Sequence, residues 1–220
     1  IPFMDYLIYS IAQAGIEDII ILLGYKGDII ANRYKAIRDI TIKFSFGSDE
    51  DRTGRRILNA YDQLNDHFLL MYGDNYWPIE MDNMLFNYQQ LGASLTTVVF
   101  SNKNGNSEYG FENNVVVGYD GMIVKYDKKR ESDDANGVDI GYFIVSKKFI
   151  DPNMQGNVSF EVDILPQFIA RNKLGAYITE NHYYYITNMQ TLKDFENAAE
   201  SNNILPMPQK YFRKKMNKKN

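Results

Sequence analysis

Apolar positions along the chain fall into short blocks whose period changes. Phe3, Leu7, Ile8 and Ile11 recur at helical spacing between Pro2, a residue that opens helices, and Gly15, one that ends them. Asp18 to Leu23 is a nearly continuous apolar run, the pattern of a strand buried on both faces of a parallel sheet. Gly24 closes it, and a short helix is expected over 28–35. Ile40, Ile42, Phe44 and Phe46 alternate and predict a second strand. Ile57, Leu58, Tyr61 and Leu64 mark a helix, 67–72 a third strand, Met81, Met84, Leu85 and Tyr88 a further helix, and 93–100 a further strand. This alternation predicts an α/β fold of three layers, with a mixed, mainly parallel sheet, right-handed crossovers and a Rossmann-like nucleotide-binding half. The runs at 18–23 and 67–72 are expected at the centre of the sheet.

The pattern changes after Ser101. An Asn/Gly/Ser-rich loop covers 102–114, and 115–119 and 122–126 flank Asp120-Gly121 as a hairpin. Strands are expected over 138–145, 176–179 and 183–186, and helices over 160–172 and 191–199. No internal repeat and no linker interrupts 1–200, so one domain is expected there, followed by a basic tail over 201–220.

Composition narrows the function classes. Apolar residues make up 45% of 220, enough for a sizeable core. No run approaches the ~20 apolar residues of a membrane-spanning helix, and no signal peptide is visible, so no membrane partner is expected. Cysteine is absent, which excludes disulfides and thiolate metal sites and fits a cytoplasmic location. Net charge is −4, although the tail carries Lys210, Arg213, Lys214, Lys215, Lys218 and Lys219. The rest of the chain is therefore strongly acidic, and nucleic acid is not an expected partner.

The strongest local chemical signal is Gly73-Asp74-Asn75, directly after an apolar strand. Ligands of open α/β sheets bind beyond the carboxyl ends of strands, and a carboxylate there can hold Mg²⁺, which neutralises triphosphate oxygens. A plain turn capped by Asp74 reads equally well from these three residues. Thr53-Gly54-Arg55-Arg56 opens a helix, where free amides suit phosphate or base edges; an ordinary helix start with exposed arginines is the alternative. His67 and His182 stand alone on strands and are assigned structural roles.

These segments together resemble one family. Residues 1–22 resemble the stretch after the nucleotide-binding loop of the sugar-1-phosphate nucleotidyltransferases. Residues 53–75 resemble their T-G-G helix start followed by a strand and G-D. Ser107-Glu108-Tyr109-Gly110 is similar to their S-x-Y-G sugar loop, residues 137–142 to an N-A-G-I-Y-type strand, and residues 159–166 to S-F-E-x-D-hydrophobic-L-P. The resemblance spans about 1–199.

The resemblance implies transfer of a nucleoside monophosphate from a nucleoside triphosphate to a sugar 1-phosphate, with release of pyrophosphate, for surface-glycan precursors. Such in-line transfer needs mainly positioning and charge neutralisation. It implies Asp74 as the catalytic Mg²⁺ ligand, with Asn188 beside it. Thr53, Gly54, Gly73 and Asn75 would line the nucleotide side. Tyr109, Gly110, Lys129, Asp139 and Glu161 would line the sugar side. The hexose or heptose branch, with guanylyl or cytidylyl transfer, is expected, and assembly as a homo-oligomer is compatible with it.

Three departures accompany the resemblance. The family's G-x-G-T-R loop and P-K-P lysine would lie before Ile1. Its F-x-E-K-P segment appears as Tyr126-Asp127-Lys128-Lys129-Arg130, so Lys128 replaces a sugar-binding Glu unless Asp127 substitutes by a shift of register. Its D-I-G-T-P-E-D segment begins here with Asn188, a weaker Mg²⁺ ligand than a carboxylate. These departures motivate a second reading, a non-catalytic sugar-nucleotide-binding or regulatory homologue. A glycosyltransferase is disfavoured, because Asp74-Asn75-Tyr76 lacks the second Asp of D-x-D.

Overall fold

The structure, a computed structural model, describes residues 1–37, 40–201 and 204. The chain order is α1 (Phe3–Gln13), β1 (Asp18–Leu23), α2 (Gly27–Tyr34), β2 (Thr41–Phe46), α3 (Thr53–Asn59), β3 (His67–Met71), β4 (Asn75–Tyr76), α4 (Met81–Leu91), β5 (Leu95–Phe100), β6 (Val115–Val117), β7 (Ile123–Tyr126), β8 (Val138–Ser146), α5 (Leu165–Ala170), β9 (Leu174–Thr179), β10 (Tyr184–Tyr185) and α6 (Met189–Glu200).

The main sheet has the order β3-β8-β5-β9. β8 runs antiparallel to both neighbours, and β9 runs parallel to β5. Three of its four strands thus share one direction. β5 and β8 are buried throughout, as central strands must be. Alternate residues of β8 feed two separate cores, since successive side chains of a strand point to opposite faces. Phe143 and Val145 pack with Ile57, Phe160, Leu165 and Phe168. Ile140, Tyr142 and Ile144 pack with Trp77, Met84 and Tyr183 on the other face. That is the three-layer α/β arrangement the alternating pattern predicts. Fully burying side chains such as Phe143 and Phe160 contributes roughly 1.5–3 kcal/mol each.

The central positions expected of the 18–23 and 67–72 runs differ from those observed. Both runs are strands, but among the described residues β1 pairs only with β2, in a parallel ladder from Asp18↔Thr41 to Leu23↔Phe46, and β3 is an outer strand of the main sheet. Apart from Leu23, which is buried, their apolar side chains are accordingly half-buried, whereas those of β5 and β8 are fully buried. Two other elements are altered. The helix expected from 160 opens as a π-helical turn, Phe160–Ile164, before α5. The strand expected over 183–186 shrinks to β10, which pairs antiparallel with β4.

A third cluster joins the chain's ends. Leu7 of α1 and Phe195 and Ala198 of α6 pack with Tyr76 and Ile204. Most of the basic tail expected over 201–220 lies outside the described residues. Among the described residues, no helix is long and apolar enough to cross a membrane.

Candidate active site

Residues 72–77 leave β3 under tight backbone control. Tyr72 N–H donates to Gly141 O (3.0 Å), and Ile186 N–H donates to Asp74 O (2.8 Å). The Asn75 amide donates to Ile140 O (3.0 Å). Tyr142 Oη donates to Asn75 O (3.0 Å) and accepts from Trp77 N (2.9 Å). Gly141 makes this approach feasible: its φ is +79°, and a Cβ there would come within 2.7 Å of the Tyr72 ring.

The fixed loop presents Asp74 beyond the end of β3. Among the described residues its carboxylate accepts only from its own N–H, and crowding by surrounding atoms pushes its pKa up. A capping aspartate would instead receive amides from the residues that follow. A Cβ at Gly73 would meet no atom within 4 Å, so packing does not demand glycine there. Asn75 spends its amide on Ile140.

Glu108, which the sequence motif leaves unassigned, lies within electrostatic reach of Asp74. Burial raises its pKa first and the charge of Asp74 second, while Tyr109 and Arg130 oppose the rise. Its backbone N–H is held by Tyr183 Oη (3.2 Å). Tyr109 stacks under the Arg130 guanidinium, 3.9 Å from ring centroid to Cζ. Gly110 is a turn residue with φ +60°, and its carbonyl accepts from Ser107 Oγ (2.7 Å) and the Asn102 amide (2.9 Å).

Glu161 is the hub of the other wall. Oε1 accepts from Tyr72 Oη (2.5 Å), and Oε2 accepts from Thr53 Oγ1 (3.0 Å) and Ser159 Oγ (2.8 Å). Lys128 Nζ lies 3.6 Å from Oε2. Burial works to raise the Glu161 pKa, but the hydrogen bonds from Tyr72, its own backbone and Ser159, with the charge of Lys128, hold it below the usual range. The cation brought to this wall is Lys128. Lys129, one residue on, is exposed and bound through its N–H to Asp127 (3.0 Å).

Asp139 sits deeper, 9% exposed. Thr97 Oγ1 (2.6 Å), Tyr126 Oη (3.0 Å) and Gly141 N (3.0 Å) all donate to it. Burial pushes its pKa up to about 6, against those three hydrogen bonds and with help from the charge of Glu161. Its carboxylate therefore ties Tyr126 of β7 and Thr97 of β5 to the Gly141 amide of β8.

The start of α3 is closed by protein. Thr53 Oγ1 accepts from Phe160 N (3.0 Å) and donates to Glu161. A Cβ at Gly54 would come within 2.9 Å of Val158 O and 3.0 Å of Phe160 N. The two arginines fasten loops: Arg55 donates to Met154 O and Gly156 O, and Arg56 to Asp51 O and Ser48 O. Asn188 is likewise committed. Its Oδ1 accepts from Gln190 N (2.8 Å) and Thr191 N (3.1 Å), and Thr191 Oγ1 accepts from Asn188 N (3.1 Å), forming a capping box on α6. Both acceptor positions of that amide oxygen are used.

Among the described residues, no three Asp, Glu or His side chains gather as a ready-made metal cage. The arrangement suits Mg²⁺ all the same. That ion is usually held by one or two carboxylates together with waters and substrate phosphates, and Asp74 has its acceptor capacity unspent.

No family model matches the chain. A Bacillus subtilis protein described as a probable glucose-1-phosphate cytidylyltransferase is 27% identical over 88% of this chain and 81% of its own length. The D-glycero-α-D-manno-heptose 1-phosphate guanylyltransferase of Aneurinibacillus thermoaerophilus is 23% identical over 83% of this chain and 78% of its own. Among solved structures, HddC from Yersinia pseudotuberculosis superposes with a TM-score of 0.70 at 21% identity, covering 88% of this chain and 83% of that one. The same protein complexed with GMP-PN superposes equally well, over 91% and 85%. In sequence the chain is similar to proteins described as sugar-1-phosphate cytidylyl- and guanylyltransferases, and in fold it is similar to HddC.

Proposed function

We propose that the chain serves transfer of a nucleoside monophosphate from a nucleoside triphosphate to a sugar 1-phosphate, yielding a nucleotide sugar and pyrophosphate. The carrying observation is the Asp74 carboxylate, which follows the end of β3, lies within electrostatic reach of Glu108 and accepts only from its own N–H among the described residues. Guanylyl or cytidylyl transfer to a hexose or heptose phosphate is the favoured specificity, in line with the named activities of the relatives.

In this reading Asp74 holds Mg²⁺. The metal, when bound, neutralises triphosphate oxygens and the charge that develops as pyrophosphate leaves. Asp74 accepts no proton in the reaction; its task is to stay ionised against the burial that raises its pKa. Lys128, with Lys129 nearby on the same turn, supplies positive charge to the sugar phosphate. Glu161 accepts sugar hydroxyls, and its low pKa keeps it an acceptor at neutral pH. Tyr109 and Gly110 border the sugar, with Asp139 holding Tyr126 behind them. Thr53 and Gly54 serve the base side by fixing α3 against 158–160, and Gly73 and Asn75 shape the turn that aims Asp74.

The test is a pyrophosphate-release assay on the protein as its gene encodes it. Each of five nucleoside triphosphates is offered with glucose, mannose and heptose 1-phosphates in the presence of Mg²⁺. Turnover with GTP or CTP that is abolished by chelation is expected. Binding of nucleotide without release from any pair would overturn the reading.

A further inference from the structure

The 102–114 loop and the turn after β7 meet at their feet, where Asp127 N–H donates to Asn114 O (2.7 Å), and again at the loop tip through Arg130. Arg130 follows β7 with φ +62°, a left-handed conformation that residues other than glycine rarely adopt. The turn that imposes it is closed by Asp127, whose carboxylate accepts from Lys129 N (3.0 Å) and Glu131 N (2.9 Å), while Arg130 N donates to Asp127 O (3.1 Å). One consequence is that Lys128 reaches Glu161. The other is that Arg130 points to the opposite wall, where Nη1 donates to Glu112 O (2.9 Å) and the guanidinium covers the Tyr109 ring at 3.9 Å. Strain kept at such a position is the kind of outlier that marks a functional constraint.

Among the described residues, the 107–113 loop has two further ties to other segments, Glu108 N–H to Tyr183 Oη (3.2 Å) and the Asn113 amide to Ala135 O (3.1 Å), and neither involves the Tyr109 ring or the Glu112 carbonyl. Asn102 ties its base to Ser107, Gly110 and Asn113. Tyr109 is 47% exposed and Phe111 73%, so apolar burial does not anchor them. Glu108, next to Tyr109, is raised in pKa by burial and then by the charge of Asp74, with Tyr109 and Arg130 opposing. Arg130 reaches this tip from a different element, with a planar face on Tyr109 and an N–H on the loop backbone.

We propose that Arg130 is a positioning residue that clamps the 107–113 loop to the turn carrying Lys128, so that the two walls of the sugar-phosphate side assemble as one unit. The consequence for substrate rests on the function proposed above; the clamp itself does not. A lysine carries the charge but has neither the planar face nor the fork of donors, so it does not replace arginine here.

The experiment compares wild type, R130A, R130K, Y109L and R130A/Y109L by hydrogen exchange of residues 108–113, and by affinity for α-D-glucose 1-phosphate and for GTP and CTP with Mg²⁺. R130A and R130K are expected to speed exchange in the loop about fivefold, the loss of one stacked cation and one hydrogen bond, with exchange in β5 and β8 unchanged. The double variant is expected to exchange no faster than R130A, because both substitutions break one contact. Glucose 1-phosphate affinity is expected to fall about tenfold with nucleotide affinity nearly unchanged. Unchanged loop exchange in R130A, wild-type behaviour of R130K, or equal losses for both substrates would each overturn the proposal. Should wild type bind none of glucose, mannose and heptose 1-phosphates, the function reading fails, and the clamp stands or falls on the exchange data alone.

Discussion

Thr53 Oγ1 donates to Glu161 Oε2 at 3.0 Å, joining two segments 108 residues apart. The same oxygen accepts from Phe160 N, so one hydroxyl serves both the start of α3 and the π-helical turn that presents Glu161. The threonine at a helix start, read as a candidate base contact, also ties α3 to the π-helical turn.

Replacing Thr53 by Val keeps the shape and removes that hydroxyl. Phe160 N–H then loses its acceptor and Glu161 one donor, a cost of about 1–3 kcal/mol for partly buried groups left unpaired. Urea unfolding should show this loss, with Thr53→Ser close to wild type. A Thr53→Val protein as stable as wild type would mean the hydroxyl is dispensable.

Asn188 gives a second prediction through its capping box. Asn188→Ala should destabilise the protein by about 1 kcal/mol, the usual worth of a helix N-cap. Asn188→Asp keeps the acceptor and places negative charge at the helix N-terminus, so its melting temperature should match or exceed wild type. Half-saturation by Mg²⁺ should be the same in all three. A raised Mg²⁺ requirement in Asn188→Ala without a change in melting temperature would return Asn188 to the metal.

Local signals carried much of this picture. The apolar runs of β1 and β3, the helical spacing of α1 and the order of the motifs are properties of neighbouring residues, and they were legible. Pairing is not local. Whether an apolar strand lies at the centre or the edge of a sheet depends on partners dozens of residues away, and β8 holds the centre that the 67–72 run seemed fitted for. Lys128 and Lys129 are indistinguishable by spacing; the Asp127 turn decides which one meets Glu161. Glu108 looked like a variable position inside a motif, and only folding sets it beside Asp74. The two-residue strand β4 is too short to leave a pattern at all.

Asp139 should write its burial into the pH dependence of stability. Its pKa rises from 3.8 to about 6 in the folded state, so between those values the native protein binds more protons than the unfolded chain. Stability from this group therefore falls as pH rises from about 4 to about 6, by about 3 kcal/mol for a shift of about two units. Glu161, with a lowered pKa, contributes in the opposite sense, losing stability as pH falls. The comparison that isolates Asp139 is urea unfolding of wild type and Asp139→Asn at pH 4, 5, 6 and 7. The difference in stability, variant minus wild type, should grow over that range. A difference independent of pH would show that Asp139 is ionised in the fold throughout.

The last prediction concerns Asp74. Its backbone is fixed on both sides, by Ile186 N on Asp74 O and by Tyr72 N on Gly141 O, while its carboxylate takes no hydrogen bond from any other residue described. Asp74→Asn keeps the shape and removes the charge. Because no neighbour depends on that charge, the fold should be nearly indifferent, and relief of a partly desolvated carboxylate should leave the melting temperature equal or slightly higher. Catalysis should respond differently. Loss of one preorganised electrostatic group at a metal costs ~3 kcal/mol of transition-state stabilisation. At 1.36 kcal/mol per tenfold in rate, turnover should drop by about a hundredfold. The Mg²⁺ requirement should rise with it, since the remaining oxygens come mainly from the triphosphate. Turnover, Mg²⁺ half-saturation and melting temperature measured on the same preparation separate the cases. Unchanged turnover would remove Asp74 from the mechanism, and a fall in melting temperature proportionate to the loss of activity would make it a structural turn residue.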